Sequence, residues 1–146
     1  MRVWRVCRKP FVKLDGSGAG LIGGRWNTPG GPMVYASSHL SLALLEVLVH
    51  LELEFDELPD DYVSVEIDIP KQLSIKTISS TLDLFDLEET RRLGDLWLSS
   101  AESAVLSVPS CVIPQELNYC INPAHADFSL IRTMDVQPFQ FDTRLF

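Results

Sequence analysis

From Tyr62 to Ile69 the chain alternates strictly, with apolar Val63, Val65, Ile67 and Ile69 interleaved with Ser64, Glu66 and Asp68. A period of two puts each set on its own face of an extended chain, so this segment predicts a half-buried strand ended by Pro70. A second pattern has the helical period: Leu40, Ala43, Leu44, Val47, Leu48 and Leu51 form one face of an α-helix. Leu42, Leu45 and Val49 make its other side apolar too. This helix is expected to be central and buried, with Ser37 or Ser38 as N-cap. Glu46 lies inside it. A further helix is expected from Asp86 to about Ala101, turning Leu87, Leu93, Leu96 and Trp97 inward.

Shorter apolar runs predict strands at Val3–Val6, Met33–Ala36, Ala104–Val108 and Tyr119–Ile121. Val112-Ile113 is another extended candidate, and Val136–Phe141 reads as a Pro-containing edge strand. Glycines crowd the stretches 15–20 and 23–32, which predicts tight turns or close approach of backbone to a ligand. Strands outnumber helices and no regular βαβ alternation occurs. The expected class is α+β, one domain over residues 1–146 with mixed or antiparallel sheets and two or three helices.

Composition narrows the function. The 146 residues are 46% hydrophobic and 22% charged, as in a globular chain. Twelve Lys and Arg against twenty Asp and Glu give a net charge of -8. That balance argues against an extended grip on nucleic acid, while a local arginine cluster remains able to hold a small anion. No stretch has the length of an apolar membrane span, and Met1–Phe11 lacks the apolar core of a secretory signal. A cytoplasmic location is expected. Cys7, Cys111 and Cys120 show neither CxxC spacing nor a cluster with histidine, so reduced thiols and no metal site are expected.

Several familiar motifs fail on inspection. Gly18-Ala-Gly20-Leu-Ile-Gly23 matches GxGxxG, but Pro29, Pro32 and more glycines follow where the dinucleotide motif needs a helix. Ser110 stands in Val-Pro-Ser-Cys rather than in a nucleophile elbow. His39, His50 and His125 have no partners at ligand spacing. What remains is Glu46 inside an apolar helix, Tyr35 in the strand before it, and Arg25 after Gly23-Gly24. A buried carboxylate must be paired or used. One reading is an Arg25–Glu46 pair that ties a loop to the core; the other is a site in which Arg25 clamps a phosphate or diphosphate.

Gly23-Gly24-Arg25-Trp26-Asn27-Thr28-Pro29-Gly30, then Tyr35-Ala36-Ser37-Ser38, Leu42-Ala43-Leu44-Leu45-Glu46 and Val108-Pro109-Ser110 resemble the RES domain family. Asn118-Tyr-Cys-Ile-Asn122-Pro123-Ala-His125 is similar to its closing segment, so the resemblance runs from about Trp4 to Phe128. It implies a toxin of a bacterial toxin–antitoxin module, with a fold similar to the diphtheria-toxin kind of ADP-ribosyltransferase. It also implies NAD as the substrate, consumed with arrest of growth, and neutralisation by an Xre-type helix-turn-helix antitoxin. That partner is expected to cover the pocket mouth, with no direct contact between this chain and DNA.

Under this resemblance Glu46 stabilises the positive charge that develops on the ribose as nicotinamide leaves. Arg25 binds the diphosphate or adjacent ribose, Tyr35 offers a flat face to the nicotinamide, and Ser110 and Asn118 hydrogen-bond ribose or the amide. The acceptor (water, phosphate or a protein side chain) is open. A module that senses NAD without catalysis is the alternative, and a purely structural partner of a DNA-binding protein is a third.

Overall fold

The computed structural model describes residues 1–79 and 81–146. Its frame is one seven-stranded sheet. In chain order the elements are β1 (Arg2–Arg8), α1 (Ser17–Ile22), β2 (Val34–Ser37), α2 (Leu40–Leu48) and β3 (Tyr62–Asp68). They continue with β4 (Ile75–Thr77), α3 (Leu87–Ser100), β5 (Val105–Pro109), β6 (Leu117–Ile121) and β7 (Arg132–Pro138). Strands lie in the order β4-β5-β6-β2-β1-β3-β7. Only β4 and β5 pair in parallel; the other neighbours are antiparallel, so the sheet is mixed and the class is α+β.

Residues opposite each other in an antiparallel ladder share a face. The pairs Trp4–Ser37, Ser37–Asn118 and Val108–Asn118 therefore place these four side chains on one side of the sheet. Trp97 of α3 packs on that side with Met33, Leu106, Val108 and Cys120. Val3, Val34, Val65, Ile67 and Ile121 form the core of the opposite face, with Val12, Leu14 and Phe128 over them. Val63, Val65 and Ile67 are buried while Ser64, Glu66 and Asp68 are only partly so, as the alternation requires. Asp86 caps α3, its carboxylate accepting from the Glu89 N–H at 3.0 Å.

Several elements differ from the sequence expectation. In α2 only Leu42 and Ala43 are buried, and Val49 is exposed. The helix lies across β1 and β2 with one side to solvent, because an apolar stripe on every side does not say which side meets the sheet. Its N-cap is His39, without a side-chain bond; Ser37 is committed to β2 and to Asn118, and Ser38 Oγ meets the His39 ring. In α3, Trp97 is buried as expected, but Leu87 and Leu96 are exposed, and Thr90 and Gly94 take the inward positions. The first glycine run forms the one-and-a-half-turn helix α1 rather than turns alone. Val112-Ile113 is a bend rather than a strand, and Pro109 ends β5 from inside it. Among the described residues, no helix is long and apolar enough to cross a membrane.

Candidate active site

Glu46 is the centre of the arrangement. Its Oε1 accepts two short hydrogen bonds, from Ser110 Oγ at 2.7 Å and Asn118 Nδ2 at 2.6 Å. Both donors are themselves fixed. Ser110 is fully buried, and its Oγ accepts from the N–H groups of Val112 and Ile113, each at 3.0 Å. A hydroxyl has one proton and two lone pairs. With both lone pairs engaged, the proton can only point to the carboxylate. Asn118 Oδ1 accepts from Ser37 Oγ at 2.7 Å, which orients the amide so that its NH2 faces Glu46. Oε2 of Glu46 accepts no hydrogen bond among the described residues. One oxygen is anchored and the other is left for something else.

Arg25 does not pair with Glu46. Its Nη1 donates to the Leu84 carbonyl at 2.6 Å, and its guanidinium lies 6.0 Å from the centroid of the Phe85 ring. Cys111 connects the two groups: its Sγ reaches the same Leu84 carbonyl at 3.6 Å. Burial pushes the Cys111 thiol up, the charge of Arg25 pulls it back, and that of Glu46 adds to the rise. Arg25 and Cys111 share one carbonyl, and Ser110, next to Cys111, binds Glu46 together with Asn118, so these five residues form one neighbourhood. Arg5 points away from it, on the sheet face opposite Ser37 and Asn118, and its Nη1 is buried without a partner among the described residues.

The loop that carries Arg25 is held from three directions. The Tyr35 hydroxyl donates to Asn27 Oδ1 at 2.6 Å and accepts from the Trp26 N–H at 3.0 Å. Burial pushes that hydroxyl far above its usual range, so it stays protonated and donating. Gly24 lies against the ring: a Cβ there would stand 2.6 Å from the Tyr35 hydroxyl oxygen. From α3, Arg91 Nε donates to the Gly24 carbonyl at 2.8 Å, and Asp95 accepts from the N–H and hydroxyl of Thr28 at 3.0 and 2.9 Å. Asn27 is fully buried and uses Nδ2 to bind the Ala19 and Gly31 carbonyls at 2.8 and 2.9 Å.

Of the five residues expected to touch a substrate, Glu46 keeps one oxygen and Arg25 keeps N–H donors that are not engaged among the described residues. Ser110 gives its one proton to Glu46, Asn118 gives one of its two N–H donors to it, and the Tyr35 hydroxyl is spent on the loop. Asn27, Arg91, Asp95 and Phe85 were not anticipated. Asn27 sits inside the recognised motif, but the α3 residues look like an ordinary charged helix surface. Tyr35→Phe tests the loop anchor. It leaves the Trp26 N–H and the Asn27 oxygen without their partner, and stability to urea falls by about 1–3 kcal/mol. An unchanged midpoint would mean that the hydroxyl does not hold the loop.

A solved structure with the same fold is the toxin–antitoxin complex MbcT–MbcA of M. tuberculosis. It matches with a TM-score of 0.74 at 15% identity, covering 94% of this chain and 83% of that one. The chain belongs to the RES domain family, which matches residues 2–142. It is 38% identical over 153 residues to Toxin Res of Photorhabdus laumondii, covering 99% of this chain and 97% of the relative. It is equally 38% identical over 140 residues to the Prs ADP-ribosylating toxin of Sphingobium sp., covering 90% and 86%. Toxin Res of Pseudomonas putida is 33% identical over 148 residues, with both chains covered in full.

Proposed function

We propose that this chain is the toxin of a toxin–antitoxin module and that it consumes NAD by cleaving the bond between nicotinamide and ribose. The observation that carries the reading is the Glu46 carboxylate, fixed through Oε1 by Ser110 and Asn118 with Oε2 unengaged. When the ribose–nicotinamide bond breaks, its electron pair leaves with the nicotinamide ring and positive charge spreads over the ribose. A carboxylate already oriented stabilises that charge without reorganising. Oε2 is placed to hold a ribose hydroxyl or the charged ring. The acceptor then gives C1′ a lone pair and loses a proton; water, inorganic phosphate and a protein side chain are the three candidates.

Arg25 binds the diphosphate. It keeps one Nη on the Leu84 carbonyl and has further N–H donors for phosphate oxygens. Ser110 and Asn118 act through Glu46, and Tyr35 acts through the loop that presents Arg25. The similarity to the Sphingobium ADP-ribosylating toxin supports NAD as substrate. The shared fold with a toxin solved together with its antitoxin supports a protein partner; an Xre helix-turn-helix partner that covers the site in the cytoplasm rests on the family resemblance alone.

The test is to incubate the purified chain with NAD, with and without phosphate, and follow nicotinamide by chromatography. Wild type releases nicotinamide, and a phosphate requirement identifies phosphorolysis. Arg25→Ala lowers kcat/KM by about ten- to a hundredfold, the value of hydrogen bonds to a charged group, and it relieves growth arrest. A folded wild-type chain that binds NAD but releases none, even with lysate as a source of acceptor, overturns the reading in favour of a sensor.

A further inference from the structure

The three most exposed large apolar side chains among the described residues are Ile22 (80%), Phe85 (77%) and Leu21 (73%). Leu21 and Ile22 precede the glycine loop in sequence. Phe85 comes from a distant segment and meets Arg25 in space. An exposed phenylalanine needs no explanation when it stands alone on a mobile loop. This one is neither alone nor loosely held.

Its backbone is constrained on both sides. The Phe85 N–H donates to Asp83 Oδ1 at 2.9 Å, and the Asp86 N–H donates to the Asp83 carbonyl at 3.2 Å. The Leu84 carbonyl takes both the Arg25 guanidinium and the Cys111 thiol. Asp86, the next residue, is the N-cap of α3. The chain thus fixes four consecutive residues and leaves the one aromatic ring among them facing solvent, with a cation at 6.0 Å from its centroid. Phosphate and base in a nucleotide are separated by a single ribose. An arginine for the phosphate beside a bare aromatic face for the base is the pairing that nucleotide chemistry calls for, because every base offers a π-face for stacking.

Resting on the proposed NAD reaction, we infer that Phe85 is the platform on which the adenine of the substrate stacks. Glu46 takes the nicotinamide ribose, Arg25 the diphosphate between the two nucleosides, and Phe85 the base at the far end. Leucine would keep the apolar contact and lose the π-face. Tryptophan would keep and enlarge it.

The experiment is calorimetric titration of ADP-ribose and of nicotinamide mononucleotide into wild type, Phe85→Ala, Phe85→Leu and Phe85→Trp, with thermal melts of each. Stacking predicts that alanine and leucine weaken ADP-ribose about tenfold or more, while tryptophan stays within about threefold of wild type. The mononucleotide, which lacks adenine, binds all four proteins alike. Melting points stay together, since the ring is 77% exposed. In NAD turnover the alanine loss falls in KM more than in kcat. Wild-type ADP-ribose affinity in Phe85→Ala, or full rescue by leucine, overturns the stacking role. So does a loss confined to the mononucleotide, which assigns the ring to nicotinamide, or a loss confined to antitoxin neutralisation, which assigns it to the partner. A wild-type chain that binds no dinucleotide at all fails earlier and overturns the NAD reading itself.

Discussion

Glutamine at position 46 leaves the protein folded and slows nicotinamide release by about a hundred- to a thousandfold, the scale of removing one preorganised charge partner from a transition state. The substitution is chosen for what it retains. The amide oxygen still accepts from Ser110 Oγ and Asn118 Nδ2, the two donors that hold Oε1 in the native protein. The negative charge disappears, and with it the free acceptor at Oε2, whose place is taken by an NH2 group. Alanine would be a poorer probe, because it strands a fully buried hydroxyl and an amide without their acceptor and mixes a folding defect into the kinetic one. The check is an initial-rate comparison at saturating NAD together with a melt. The thermal midpoint should stay within about 4 °C, corresponding to a change near 1 kcal/mol. A glutamine variant that turns over like wild type would falsify the electrostatic role and reduce Glu46 to an anchor for Ser110 and Asn118.

Alanine at position 94 is the largest expected loss of stability. In the interior of a helix this exchange ordinarily stabilises, by about 1 kcal/mol, because glycine has more conformational freedom to lose. Here the sign reverses. A Cβ on Gly94 would stand 1.7 Å from the Trp26 carbonyl oxygen and 2.6 Å from its carbon. Both atoms are backbone, so no side chain can swing aside, and α3 must separate from the loop. That separation breaks the bonds from Arg91 to Gly24 and from Asp95 to Thr28 together. A loss above about 3 kcal/mol in urea denaturation is expected, at the upper end of overpacking penalties. Whatever folded protein remains turns over slowly, since Trp26 directly follows Arg25. Equal stability of variant and wild type would show that helix and loop do not meet through backbone.

These two positions also mark what the sequence did and did not make legible. Glu46 stood out because a charge inside an apolar helix needs a reason. Gly94 did not, because a lone glycine in a helix carries no sign of what crosses it; the reason lies 68 residues earlier, at Trp26. The same division runs through the fold. β3 was plain from local alternation, whereas β4 is three exposed residues, Ile75–Thr77, that are a strand only because β5 is beside them. In α2 the apolar residues announced a helix but not its orientation, since leucine on every side fits a buried helix and a half-covered one equally. Serines 37 and 38 suit an N-cap by type, yet Ser37 serves the sheet and Asn118 instead.

Among the candidate site residues, the sequence singles out positions but not the bonds they make. Ser110 and Asn118 were expected to meet the substrate, and the structure turns both toward Glu46. Tyr35 was expected to offer its ring face to nicotinamide; what the structure adds is that its hydroxyl is held between Trp26 and Asn27. Hydrogen-bond direction depends on where two distant segments come to rest, which no local pattern encodes. Phe85 was overlooked for the same reason: in an acidic stretch it is one apolar residue among many, until Arg25 is found beside it.

The placement of β6 next to β2 in the sheet has a consequence for how the protein is made. Glu46 waits for donors that lie 64 and 72 residues downstream. At ribosomal rates of about 5–20 residues per second, that gap corresponds to roughly 4–14 s of synthesis. Throughout that time the glycine loop, Tyr35 and α2 are already in existence, but the carboxylate has nothing to fix it. No nascent chain that stops short of Asn118 contains both holders. Glu46 comes early in the chain, and Ser110 and Asn118, which fix its carboxylate, come late, so the order of translation itself delays assembly of the proposed site.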